Sequence, residues 1–153
     1  MTVELFGVED NERIARAFAV RRAVFVREQG VPEEEEIDAH DRSDASACHA
    51  LIALDGRPVA AGRFFVRPDG AVQIGRMAVL AAYRARGIGR ALLDALVDEA
   101  QRRGFSRVVL HAQTHARGFY ERADFIAHGA EFLDAGILHV EMERALGEPC
   151  HAE

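Results

Sequence analysis

The residues Arg84-Ala85-Arg86-Gly87-Ile88-Gly89-Arg90 follow a strand-like apolar run and open an amphipathic helical stretch. Their types suit anion binding. Glycine at 87 and 89 lets backbone N–H groups converge on a ligand at the positive end of a helix dipole. Arg84, Arg86 and Arg90 add charge-assisted hydrogen bonds. Three nucleotide-binding turns have related spacings. A P-loop requires Gly-Lys-Ser/Thr, and this chain has no lysine, since all 19 of its basic residues are arginine. A dinucleotide turn calls for a third glycine at position 92, which is Leu92. The pattern that survives is Arg/Gln-x-x-Gly-x-Gly/Ala, carried by Arg84, Gly87 and Gly89.

Such a turn needs a strand before it and a helix after it. Ile88, Leu92, Ala95, Leu96 and Ala100 form one apolar stripe, and Gly104 stands where a C-terminal cap belongs, so a helix is predicted over 87–103. Upstream, apolar runs at 48–54, 59–66 and 71–80 are separated by Asp55-Gly56 and Pro68-Asp69-Gly70, the signature of an antiparallel meander. Gly75 inside the third run suggests a bulge there or just beyond. A short strand at Val3 and Leu5 precedes a helix over roughly 11–27, and the acidic segment 30–38 reads as a loop or short helix. After the central helix come a strand at 107–112, a short helix capped by Thr114 and running through Arg122, extended structure at 125–127, and a last strand around Leu138, Val140 and Met142. The order implies an α/β (α+β) domain with a mixed sheet, in which the strands flanking the 87–103 helix run parallel.

Composition bounds the function. At 153 residues the chain is expected to form a single domain over 1–153, burying roughly 70% of its extended surface. A net charge of −6 argues against non-specific nucleic-acid binding. No apolar run reaches the length of a membrane span, and Met1-Thr2-Val3-Glu4 lacks the features of a leader, so a cytoplasmic protein without a membrane partner is expected. Cys48 and Cys150 stand far apart, outside any Cys-x-x-Cys pairing, and the histidines show no tight ligand spacing. Neither a disulfide framework nor a metal is expected.

In this order the motifs resemble the GNAT superfamily of bacterial and other N-acetyltransferases from about residue 3 to 146. The turn at 84–90 is similar to the family's pyrophosphate loop, and Gly75-Arg76-Met77-Ala78-Val79-Leu80 looks like its bulged fourth strand. Ala116 to Phe125 is similar to its Ala-x-x-Phe-Tyr-x-x-x-Gly-Phe element. Two further segments, 24–32 and 131–142, resemble the ElaA-like bacterial branch. Two residues depart from the pattern: Gln113 stands where Asn is frequent, and Asp124 where Gly precedes Phe, a change suited to a left-handed turn.

The resemblance implies a central mixed sheet of six or seven strands flanked by helices, with acetyl-coenzyme A as cosubstrate. The main chain of Met77, Ala78 and Val79 would pair with the pantetheine arm, and the amides from Arg86 through Gly87, Ile88 and Gly89 to Arg90 would bind the diphosphate, with Arg84, Gln113 and Phe119 bordering the same ligand. Tyr120 is implied as the general acid for the departing sulfur. The acceptor is then a small-molecule or peptide amine, bordered by Arg27, Glu28, Asp38, His111 and His139. A primary amine is almost wholly protonated at neutral pH, so a base is required. Glu28, Glu34, Glu35, Asp38, His111, His139 and a water chain all stand as candidates. The acidic run 33–36 reads either as a solvated loop or as an attractor of cationic amines. Direct transfer is expected, because neither cysteine is placed for a covalent route. The competing readings are a non-catalytic acyl-coenzyme A-binding module and a nucleotide-binding protein. A homodimer is a family-level expectation.

Overall fold

Seven strands form one sheet in the order β1-β2-β3-β4-β5-β7-β6 in the computed structural model, which describes residues 1–147. Strands β1 (Val3–Phe6), β2 (Cys48–Leu54), β3 (Arg57–Val66) and β4 (Val72–Val79) make the antiparallel meander. Asp55 and Gly56 both take positive φ in the β2–β3 turn, as an Asp-Gly hairpin demands. Helix α4 (Ile88–Arg102) then carries the chain to β5 (Arg107–Gln113), which pairs parallel with β4. Strands β6 (Ile126–Asp134) and β7 (Ile137–Ala145) complete an antiparallel half, with β7 inserted between β5 and β6.

Both faces of the meander are covered, which is why its strands read as continuous apolar runs. On one face α4 sets Leu92, Leu93, Leu96 and Ala100 against Ala50, Ile52, Phe64 and Ile74. On the other, α1 (Asn11–Arg21) sets Ile14, Ala17 and Val20 against Leu51, Ala61 and Ala78. Asp10 caps α1 through the Arg13 amide. Helical structure continues beyond α1 as a wider turn over Arg22–Glu28, in which Gln29 N–H reaches the Val24 carbonyl at 3.0 Å. Such π-type widening re-aims side chains within an otherwise regular helix.

Several details differ from the sequence-based expectations. The acidic segment becomes two single turns, α2 (Glu33–Glu36) and α3 (Ala39–Arg42), the second closed by a reciprocal capping box between Asp38 and Asp41. Thr114 does not cap a helix: it starts a tight turn over Thr114–Ala116, and α5 (Arg117–Glu121) begins behind Ala116, whose methyl has no acceptor atom. Strand β6 runs seven residues past the expected end at 127, because pairing with β7 rather than a buried face defines it. Most of its residues are exposed and carry no alternation. The left-handed residue of the β4 bulge is Arg76, at φ 53°, rather than Gly75. Asp124 does adopt a left-handed conformation, at φ 71°. Cys150 lies outside the described residues, and no described helix is long and apolar enough to cross a membrane.

Candidate active site

Strands β4 and β5 pair only from Val72 with Val108 to Ile74 with Leu110. Beyond that point they part. The register of β4 against β3 passes from Arg63 opposite Gly75 to Ala61 opposite Ala78, so Arg76 and Met77 face Gly62 alone. This bulge bends β4 away from β5 and leaves its last residues without a neighbour on that side. Gly62 is required opposite the bulge, since a Cβ there would stand 2.7 Å from Met77 Sδ and 3.2 Å from Leu92 Cδ2.

The gap opens into a cavity of about 790 Å³. Its walls include Met77, Ala78 and Val79 from β4, His111 and Gln113 from β5, and Phe119 and Tyr120 from α5. The loop before α4 supplies Arg84 and Gly87, the first turn of α4 supplies Gly89 and Arg90, and β7 supplies His139. Four expected residues do not line it: Arg27 is exposed, the Ile88 side chain is buried in the core, Arg86 lies over the Tyr83 ring, and Asp38 is paired with Arg63.

The loop is built to present amides. Ala85 and Gly87 take positive φ, at 63° and 79°, around Arg86, an alternation that turns successive N–H groups into one concavity. Gly87 occupies the N-cap position of α4, and the first intrahelical bond runs from Ala91 N–H to the Gly87 carbonyl at 3.1 Å. The amides of Ile88, Gly89 and Arg90 therefore precede the hydrogen-bonded ladder, and no acidic residue occupies this first turn. Of the three arginines, Arg84 forms a two-pronged pair with Glu28, at 2.6 and 2.7 Å, and donates to the Val79 carbonyl at 2.9 Å. Arg90 pairs with Asp94 at 2.9 Å. The Arg84 guanidinium holds the Glu28 carboxyl below its ordinary range.

Gln29 and Gln113 exchange amide hydrogen bonds at 3.3 and 2.9 Å, joining the widened helical turn to the end of β5. Tyr120 packs edge-on against Phe119, with ring centroids 5.0 Å apart. Its hydroxyl has no protein hydrogen-bond partner among the described residues, and burial pushes its pKa up to about 12. The group keeps its proton through the physiological range.

A buried ion cluster fixes the opposite wall. Arg21 bonds Glu36 at 2.7 Å and Asp41 at 2.8 and 2.9 Å, while Arg63 bonds Asp41 at 2.6 Å and Asp38 at 2.7 Å. Arg76 donates to the Glu36 carbonyl at 3.0 Å. Burial opposes ionisation of Asp41, and the hydrogen bonds and charge of Arg21, joined by Arg63, outweigh it and hold the carboxyl well below its ordinary range. The acidic run therefore divides: both Glu35 and Glu36 border the cavity, but Glu36 is only 1% exposed and bonded to Arg21, whereas Glu35 is exposed. Sequence reasoning gave no role to Gln29 or Arg76, although both lie in segments noted for their resemblance, and it missed the Arg21–Asp41–Arg63 cluster, which no local motif joins. Cys48 is buried, and its thiol is pushed up to about 11, which leaves it unreactive. Among the described residues no three His, Cys, Asp or Glu side chains are grouped to hold a metal.

The profile of the acetyltransferase (GNAT) domain matches residues 12–146. The chain belongs to the GNAT acetyltransferase family. It is similar to the uncharacterized N-acetyltransferase YjcF of Bacillus subtilis, at 39% identity over 136 residues, covering 88% of this chain and 94% of that one. Among solved structures, a Pseudomonas aeruginosa acyl-CoA N-acyltransferase superposes with a TM-score of 0.85 at 30% identity, over 94% of this chain and 99% of that one. Escherichia coli ElaA superposes at 0.83 with 26% identity, over 94% and 98%. The parted parallel strands and the helix behind the glycine loop are thus a GNAT acyltransferase fold, and this chain is an N-acetyltransferase of that family.

Proposed function

We propose that the protein transfers an acetyl group from acetyl-coenzyme A directly to a primary amine within a ternary complex. The observation that carries this reading is the single cavity joining three features: unpaired β4 backbone, free amides at the start of α4, and the Tyr120 hydroxyl. These features fit the cosubstrate. The concave amides from Arg86 to Arg90 suit its diphosphate, and the edge of Met77 to Val79 suits the amide-bearing pantetheine arm. When bound, the cosubstrate supplies the activated acyl carbon as a thioester.

The chain's own residues do the remainder. Main-chain N–H near Val79 faces the thioester oxygen as charge develops there. Tyr120, protonated at neutral pH, donates to the departing sulfur. The buried Cys48 offers no covalent alternative. The acceptor half of the cavity lies between Glu35, Gln29, His111 and His139. A small-molecule or peptide amine enters on that side.

The test is thiol release from acetyl-coenzyme A across a panel of polyamine, amino-sugar and basic-peptide acceptors, with calorimetry of cosubstrate binding alongside. Acceptor-dependent release that Tyr120→Phe suppresses while cosubstrate affinity persists supports the reading. Tight binding without acceptor-dependent release favours the non-catalytic module, and release unchanged by Tyr120→Phe removes Tyr120 as the acid.

A further inference from the structure

We infer that His111 is the general base of the transfer and that Glu141 positions it, an inference resting on the acetyl-transfer reading above. His111 is the first β5 residue beyond Leu110, the last to pair with β4, so it stands at the vertex of the opening. Leu110 and Ala112 are buried in the core beneath α4, and strand alternation turns His111 to the opposite face, where it lines the cavity. Directly across the ladder on β7 stands Glu141, whose Oε1 lies 3.1 Å from His111 Nε2. A carboxylate accepts, so Nε2 carries the proton and the Nδ1 lone pair is left open. Nδ1 has no partner among the described residues, and Phe132 braces the ring edge-on at 5.1 Å.

The groups facing this pair come from β6, β7 and the turn after β3. Arg67, the residue after β3, reaches Glu141 at 3.3 Å, and His128 of β6 reaches it at 3.2 Å. His139 of β7 stacks on Phe132, with ring centroids 5.9 Å apart. Burial raises the Glu141 carboxyl, but the hydrogen bonds from His111 and Arg67 outweigh that and keep it ionised. An ionised glutamate stabilises the imidazolium that forms when Nδ1 takes a proton.

Glu34 is exposed and does not line the cavity, and the other candidates are differently paired or oriented. Glu28 is paired with Arg84, Asp38 with Arg63, and Glu36 with Arg21. His139 gives its Nδ1 proton to the Ile137 carbonyl at 2.7 Å, an uncharged partner that orients the ring without balancing a positive charge. Glu35 is exposed at the rim; Arg76 reaches its main-chain carbonyl at 3.3 Å, and among the described residues its carboxylate has no ion-pair partner to orient it.

The proton ledger balances. His111 Nδ1 takes one proton from the acceptor's ammonium, and the freed nitrogen forms the N–C bond as the C–S bond breaks. Tyr120 gives its proton to the sulfur and regains one from the same nitrogen. His111 releases the first proton to solvent, so an ammonium and a thioester become an amide, a thiol and one proton.

The experiment compares thiol release with two probe amines near neutral pH: ethylamine, which is an ammonium there, and methoxyamine, which is already a neutral nucleophile. His111→Gln is expected to lower kcat with ethylamine roughly 100-fold and to leave methoxyamine within about threefold. Glu141→Gln shows the same bias at smaller size, while Glu12→Gln, on the exposed face of α1 and away from the cavity, leaves the ratio of the two rates unchanged. Equal losses with both amines, or no loss in His111→Gln, overturn the proposal. Imidazole 15N spectra read the geometry without any acceptor: a His111 protonated on Nε2 in the wild type and a mixture of the Nε2–H and Nδ1–H tautomers in Glu141→Ala supports it, and protonation on Nδ1 in the wild type overturns it. A wild-type protein that binds no acetyl-coenzyme A refutes the acetyl-transfer reading itself. Wild-type turnover with an unimpaired His111→Gln variant refutes only the base.

Discussion

Glu28 and Arg84 form a two-pronged ion pair, at 2.6 and 2.7 Å, between the end of the first helix and the loop that precedes α4. Both side chains are more than a third exposed, so the pair contributes little to stability. Its consequence is for binding, because a carboxylate competes with an incoming diphosphate for one guanidinium. Glu28→Gln is expected to tighten coenzyme A binding by about three- to tenfold, and Arg84→Ala to weaken it by about tenfold, both effects shrinking as salt rises. Calorimetric titration at two ionic strengths checks the pair of signs.

Tyr120 tests the other end of the ligand. Its hydroxyl is the only atom lost in Tyr120→Phe, and the ring contacts with Phe119 and Phe125 persist. A fall in kcat of about 100-fold with unchanged acetyl-coenzyme A affinity is expected. Because burial lifts its pKa to about 12, activity does not decline on the alkaline side through Tyr120 ionisation until that region is approached.

The buried cluster makes stability pH-dependent in a defined direction. Asp41 has a folded-state pKa below its unfolded one, so its stabilisation is fully present above the ordinary carboxylate range and is lost as pH falls through the lowered value. Asp41→Asn leaves Arg21 and Arg63 poorly compensated in the interior and is expected to cost about 3–5 kcal/mol. Urea unfolding near neutral pH and again in acid measures both the loss and its shrinkage at low pH.

Gly62 is a steric prediction. A methyl there meets Met77 Sδ and two leucines of α4, Leu92 and Leu96, so Gly62→Ala is expected to cost about 1–3 kcal/mol. Met77 lines the cavity, and its displacement also weakens coenzyme binding, which separates this substitution from a purely structural one.

Much of this arrangement is readable in the chain because it is local. The α4 stripe, the Asp55-Gly56 turn and the glycine loop each declare themselves within a few residues, and Gly104, at φ 90°, ends α4 as its type requires. Strand β6 was hidden because its residues face solvent and lack alternation. The acidic run could not be divided from sequence, since Glu36 is distinguished from Glu35 only by Arg21, fifteen positions away, reaching it through the fold. Gly75 marks the bulge in the sequence, yet the left-handed residue is Arg76, whose guanidinium bonds the Glu36 carbonyl forty positions away, a contact no local pattern reveals. His111 and Glu141 are thirty residues apart, and only the β5–β7 register sets them opposite.

The most direct test is a crystal structure with acetyl-coenzyme A. The diphosphate is expected within hydrogen-bonding distance of the backbone amides of residues 86–90, with the pantetheine arm along Met77 to Val79 and the sulfur beside Tyr120. Coenzyme bound outside the opening between β4 and β5, or no coenzyme bound, would contradict the account.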